Sequence, residues 1–400
     1  MTLFPHLNKE CALLLDKMMT TVDKVFPLPG RFTAHLKDDV KELSGLLTSE
    51  RSERSLSYLG KPNLLSAYLR YFLPWNVYRL CRLLPSLQLK FNDGDLILDI
   101  GSGPLTFLLA LWISRPDLRN TSLEFIALDM TPKILDAGKK LFSAFAPSSK
   151  WKIKTMRGKM LRNSFSISRN GKYVNIPPGK ITDGKSAALV SAVNVFNEIY
   201  WQLSRADRSG QSKLVEQSAR LLTACAGDGT ILVVEPGIPR SGEFISALRS
   251  SFLAEGFDII SPCPHNGSCA FPGGLSGKTK AKWCHFSFIT DEAPQKLLKL
   301  SEMSGIPKER AVISFIMTGK KTVSENINVK EQSGSAVTVR IVSDSFPVGN
   351  SFGRYACSEQ GPVLVTGNKD KIEELDSGSC VSLQITGHRD QKSNALMGVI

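Results

Sequence analysis

LILDIGSGP, residues 96–104, decides the fold of this chain. An apolar run that ends at two glycines reads as a buried strand, and Gly101 and Gly103 let the backbone turn sharply from strand into helix. Without a Cβ, such a turn also admits a ligand close to the backbone. The pattern then alternates. A helical run, LTFLLALWI (105–113), leads to a strand, LEFIALD (123–129), and a second helical run, KILDAGKKLF (133–142). A strand and turn follow in ALVSAVNVFNEI (188–199), then a helix from about 210 to 226 and the strand TILVVEP (230–236). Strands alternating with helices across short connections predict an α/β protein, a parallel doubly wound sheet with helices on its faces.

The loop and its surroundings point to a cofactor class. A dinucleotide fingerprint requires a glycine where this chain has Thr106. Asp99, just before the glycines, instead suits S-adenosylmethionine, whose cationic methionine end gains from a nearby carboxylate. Asp129 ends the second strand, where a carboxylate accepts hydrogen bonds from ribose hydroxyls, and Met130 follows it. The expected cofactor-binding set is therefore Asp99, Gly101, Ser102, Gly103, Asp129 and Met130, on a class I S-adenosylmethionine-methyltransferase-type sheet. Asn194, Asn197 and Glu198 end the strand where substrate and cofactor meet in such sheets, and are the candidates for orienting a nucleophile. Leu105 stands where methyltransferases often carry a third glycine.

Around this sheet, residues 1–93 read as a helical N-terminal region, with apolar positions three and four apart in ECALLLDKMM and NLLSAYLRYFLPWNVYRLCRLL. Pro74 is expected to kink or break the second run. The sheet domain is expected over 94–320, closed by HFSFI and AVISFIMTG and carrying a cysteine-rich loop at 262–285. After a polar interval, the alternating runs VTVRIVS, PVLVTG and CVSLQI predict a small β-rich, OB-like module at 335–390.

Charge and composition narrow the partners. The net charge of +13 and pI near 9.3 imply an anionic partner, most simply nucleic acid. Between Lys150 and Lys185 lie ten basic residues against one acid, interleaved with Trp151, Phe165 and Tyr173. Lys152, Lys154, Arg157 and Lys159 are candidate RNA contacts, as are Lys278, Lys280 and Lys282 in the cysteine loop. An ordinary solvated strand pair with its aromatic residues turned inward is the alternative. The longest apolar run, PLTFLLALWI (104–113), falls short of the ~18–20 residues of a membrane span, so no membrane association is expected. The N-terminus resembles neither a secretory signal nor an Arg-rich transit peptide, which predicts a cytoplasmic protein. A monomer is expected.

Of the eight cysteines, Cys11, Cys81 and Cys225 sit in apolar helical patterns and read as core. Cys263, Cys269 and Cys284 lie in PCPHNGSCAFPGGLSGKTKAKWCHFSF (262–288), with Cys357 far downstream in GRYACSEQG. Clustered thiols in a reducing compartment favour metal over disulfide. Five residues separate the first pair and fourteen the second, a poor match to the close pairs of structural zinc sites. Iron–sulfur clusters tolerate wider loops. Spacing leaves both metals open, with His265 and His285 as substitute ligands or as support behind them.

VVEPGIP (233–239), the helix with Arg249, PCPH, Cys269, WCHFSF and Cys357, together with SAYLRYFLPWNVY (66–78), LILDIGSGP and VNVFNEIYW (193–201), carry a resemblance. From about residue 50 to 370 the chain resembles the methyltransferase-like proteins associated with the mitochondrial small ribosomal subunit and their bacterial relatives. The resemblance implies a four-iron, four-sulfur cluster on Cys263, Cys269, Cys284 and Cys357, and a role on the small subunit during its assembly. The resulting expectation is an S-adenosylmethionine-binding, cluster-containing protein acting on the small ribosomal subunit or its rRNA. The alternatives are a non-catalytic RNA-binding assembly factor of the same fold, and zinc as the metal.

Overall fold

The computed structural model describes residues 2–48, 60–201, 203, 207–276, 282–320 and 336–400. The chain forms two compact units, one of Pro5–Val193 with Ile289–Ala311, the other of Met1–Phe4, Asn194–Phe288 and Val312–Ile400.

In the first unit six strands, β1 (Leu96–Ile100), β2 (Glu124–Asp129), β3 (Lys152–Met160), β4 (Phe165–Arg169), β5 (Lys172–Ile176) and β6 (Leu189–Val193), lie in the order β5-β4-β3-β2-β1-β6. β1 is buried along its whole length, as its apolar run predicts, and is flanked by parallel partners, β2 on one side and β6 on the other. The order therefore reverses at β1, and a topological switch point is where such sheets hold ligands. The helix Thr106–Ser114 after the glycine loop is buried at eight of its nine residues, and Pro132–Phe145 buries one amphipathic face. β3, β4 and β5 form an antiparallel meander, turning at Asn170-Gly171, both left-handed.

The N-terminal helices belong to the same unit. Asn8 caps Lys9–Val25 by accepting the Cys11 N–H at 2.8 Å. Pro74 does not break its helix. Pro62–Ala67 passes into a wider π-helical turn, Tyr68–Phe72, and continues as Leu73–Leu83. The π turn absorbs the backbone disruption that a proline imposes one turn upstream. The returning segment packs on this helix: Trp75 Nε1 donates to Ser301 Oγ at 3.3 Å, and Arg82 pairs with Glu292 at 2.8 Å.

In the second unit β7 (Thr230–Pro236), β8 (Phe257–Ser261), β9 (Phe286–Ile289) and β10 (Arg310–Lys320) follow the order β7-β10-β8, with β9 on β10. β10 runs antiparallel to both β7 and β8. The helices Arg208–Ala226 and Pro239–Ala254 complete this α/β portion. The chain is thus an α/β protein with a parallel sheet core, a helical N-terminal region and a β-rich C-terminal module. That module comprises β11 (Ala336–Ile341), β12 (Phe346–Val348), β13 (Ser351–Ser358), β14 (Gly361–Gly367), β15 (Cys380–Arg389) and β16 (Leu396–Val399). β11 pairs with both β15 and β13, so five strands close into a ring, β11-β15-β16-β14-β13, with β12 beside β13. The barrel runs past residue 390 because β16, parallel to β14, is one of its staves. Val339, Ile341, Ala356, Val363, Val365 and Leu383 fill it, and Ile372 of the helix Lys369–Glu373 joins that core.

Candidate functional site

The glycine loop lies at the switch point of the first unit. Gly101 and Gly103 take left-handed backbone, with φ of +66° and +54°. Among the described residues a Cβ on Gly103 would meet Thr106 Oγ1 at 3.9 Å and Tyr68 Oη at 4.0 Å, so these residues leave the loop open to a ligand. Leu105 also adopts the left-handed conformation a third glycine would take, with φ of 61°. That costs about 1–2 kcal/mol for an L-residue, offset by a side chain that is 0% exposed.

The two carboxylates of the predicted set brace this loop. Asp129 accepts the Gly103 N–H at 3.0 Å and the Thr131 N–H at 2.8 Å, which orients it beside the turn. Asp99 is 1% exposed and accepts the hydroxyls of Ser102 and, at 2.7 Å, Ser191. It holds the loop from beneath, where the sequence suggested a carboxylate facing the cofactor. Met130 is part-exposed next to Asp129. Asp99, Gly101, Ser102, Gly103 and Asp129 are therefore brought together. Tyr68 is delivered beside them by the π turn.

Burial pushes Asp99 up to about 7 from its ordinary 3.8. The folded protein thus retains a proton that the unfolded chain releases near pH 4. This group's contribution to stability is full below about pH 4, falls by roughly 1.4 kcal/mol for each pH step of one between about 4 and 7, and is level above. Urea unfolding at pH 5 and pH 8 is expected to show a decline that Asp99→Asn makes smaller, the buried carboxyl of Glu235, also raised, carrying a further part of it. A decline of equal size in the variant contradicts the assignment.

Asn194, Asn197 and Glu198 lie in the second unit. Asn194 is left-handed, and its N–H donates to the Val234 carbonyl at 2.8 Å. The buried Glu235 of β7 accepts the N–H groups of Phe196 and Asn197 at 2.8 and 2.9 Å. Glu235 therefore fixes the start of the helix Phe196–Trp201, although its carboxyl is raised by burial to about 8. No sequence pattern marks it for this role.

The four predicted thiols belong to one neighbourhood of the second unit. Cys263 follows β8, Cys269 lies in the loop, Cys284 precedes β9 and Cys357 sits in β13. Cys284 interacts electrostatically with the other three, and Cys357 with Cys263 and Cys269. Burial pushes the thiols of Cys263, Cys284 and Cys357 up, with the neighbouring thiols adding to the effect. Donors surround them. Arg249, itself buried, points Nε at Cys263 Sγ at 3.4 Å and donates to the His265 carbonyl at 2.9 Å. His265 Nε2 lies 3.3 Å from Cys357 Sγ, whereas the His285 ring stacks on Trp283. Arg340 ties the barrel to the loop by donating to the Pro262 carbonyl at 2.9 Å. Among the described residues no group of three or more His, Cys, Asp or Glu side chains is set to hold a single metal ion.

The basic stretch divides between two faces. Lys152 pairs with Glu124 at 3.5 Å, Lys185 with the same carboxylate at 3.3 Å, and Lys154 with Asp183 at 3.1 Å. Arg157 and Lys159 alternate to the opposite face of β3. Trp151 and Phe165 are buried, so of the three interleaved aromatic residues only Tyr173 is exposed. Lys282 sits 2.9 Å from the centre of the Tyr355 ring, and Lys278 and Lys280 lie outside the described residues. No described helix is long and apolar enough to cross a membrane.

Solved structures similar to this chain include S-adenosylmethionine-dependent methyltransferases from Thiobacillus denitrificans and Geobacter sulfurreducens, both in complex with S-adenosylhomocysteine. The first is 11% identical with a TM-score of 0.33, the second 12% identical with a TM-score of 0.31. Each similarity covers 61% of this chain and 91% of the other. No curated protein matches the sequence. The family model described as mitochondrial small ribosomal subunit Rsm22 matches residues 66–344, a span from the π turn through the glycine loop and three of the four clustered cysteines into the barrel, and the chain belongs to that family.

Proposed function

We propose that this protein binds S-adenosylmethionine in the cradle of Asp99, Gly101, Ser102, Gly103 and Asp129, carries a four-iron, four-sulfur cluster on Cys263, Cys269, Cys284 and Cys357, and acts on the small ribosomal subunit through its rRNA. The observation that carries the reading is the gathering of four thiols from separate elements of the second unit, in a chain of a small-subunit family.

The residues suit both groups. Thiols held protonated by burial gain from a cationic metal centre, which takes them as thiolates, and the Arg249 guanidinium adds a donor to one sulfur. In the cradle, bound S-adenosylmethionine would supply an electrophilic methyl group. Asp129, already oriented by two backbone N–H groups, would accept the ribose hydroxyls, and the open Gly103 would admit the ligand to the backbone. Asn194, Asn197 and Glu198 are the candidates for orienting a methyl acceptor.

Calorimetric titration with S-adenosylmethionine tests the cradle. Asp129→Ala removes charge-assisted bonds to both loop and ligand and is expected to weaken binding roughly 10–100-fold. Undiminished binding by the variant would place the cofactor elsewhere. Binding by the wild type without methyl incorporation into small-subunit RNA assigns the protein as a non-catalytic assembly factor.

A further inference from the structure

We propose that the polar face of the β3–β4–β5 meander is a binding platform for single-stranded RNA, with a base stacked on Tyr173 and phosphates held by Arg157 and Lys159. This rests on the RNA reading above and locates the contact.

Register defines the face. Lys159 is opposite Ser166, Ser166 opposite Asn175, and Ser168 opposite Tyr173, so these side chains share one side of the sheet with Arg157. The other side carries Phe165, Ile167 and Ile176, all buried, with Val174 exposed near the tip; on the polar side Ser166 is buried, and Arg157, Lys159, Tyr173 and Asn175 are exposed. On it Tyr173 is 54% exposed, with the Arg157 guanidinium 5.5 Å from its ring centre. An exposed ring on a flat sheet, flanked by a guanidinium, is the geometry on which unpaired bases stack. Asn175, next along the face, offers both a donor and an acceptor to a base edge.

The chemistry selects the partner. A phosphate backbone satisfies the cations, while a planar base is what the ring adds, and in a duplex the base faces are already stacked. The position gives the platform a purpose. Arg157 is the register partner of Asp129, the carboxylate that braces the glycine loop. A strand of RNA lying across β3 therefore runs beside the cradle of the same unit.

Fluorescence anisotropy of the full-length protein with a labelled twelve-nucleotide RNA, single-stranded and as a duplex, tests this. Tyr173→Ala is expected to weaken single-strand binding about 10-fold or more, and Tyr173→Phe to restore it. Arg157→Ala with Lys159→Ala is expected to reduce the slope of log Kd against log salt by about 1.4. Wild-type affinity in Tyr173→Ala, or wild-type binding to small subunits without oligonucleotide binding, overturns the platform and leaves the broader reading standing. Equal affinity for the duplex with the same loss on Tyr173→Ala overturns the single-strand assignment. Failure to bind any RNA together with failure to co-sediment with small subunits overturns both.

Discussion

Gly138→Ala is expected to destabilise the protein by about 1–3 kcal/mol and to weaken S-adenosylmethionine binding at the same time. Gly138 lies inside the helix Pro132–Phe145, where alanine normally gains close to 1 kcal/mol over glycine. Here a Cβ would stand 2.7 Å from both the Cα and the carbonyl oxygen of Pro104. Those are backbone atoms of the glycine loop and cannot rotate aside as a side-chain end would. The helix or the loop must shift, and overpacking outweighs propensity. Because Pro104 directly follows Gly103, the shift is felt where Asp129 accepts the Gly103 N–H. Gly179→Ala is the control, since nothing lies within 4 Å of the added carbon. Urea unfolding and calorimetry on both variants check the pair. Stabilised, fully binding Gly138→Ala would mean that the helix does not set the loop.

Cys357→Ser is expected to bring iron and sulfide in anaerobically purified protein from a full complement to a trace, and to lower its melting temperature. A serine hydroxyl is a hard, weakly acidic donor, poorly suited to iron that prefers thiolate. The substitution also touches more than one ligand. Cys357 is buried in β13 opposite Arg340, which itself donates to the Pro262 carbonyl beside Cys263. Metal binding that spans barrel and loop contributes to folding, so its loss appears as lost stability. Cys225→Ala, in the apolar packing of the helix Arg208–Ala226, is expected to keep its metal. Stoichiometric zinc without sulfide in the wild type would overturn the cluster and leave a zinc staple.

The parts of this structure that could be read in the sequence are those with local causes. β1 announces itself as a short apolar run ended by glycines, and the switch-point loop follows from it. Tyr68 could not be found this way, because its place beside Gly103 depends on a π turn that no periodicity marks. β13 is hidden for a different reason. Arg354 sits at an inward position, buried and donating to the carbonyls of Ile372 and Ser343, so SFGRYACS does not alternate as a strand should. The basic stretch reads as one surface, but strand alternation sends Lys152 and Lys154 to one side and Arg157 and Lys159 to the other. Arg249, Arg340 and Glu235 act on residues brought near only by folding, which composition cannot foretell.

The late position of β13 also sets a schedule. The ribosome delivers Cys263, Cys269 and Cys284 well before Cys357, and at ~5–20 residues per second the delay is on the order of ten seconds. During that interval a nascent chain exposes three thiols with no fourth. In the proposed cluster, the three thiols of the loop would wait on the barrel for their fourth partner.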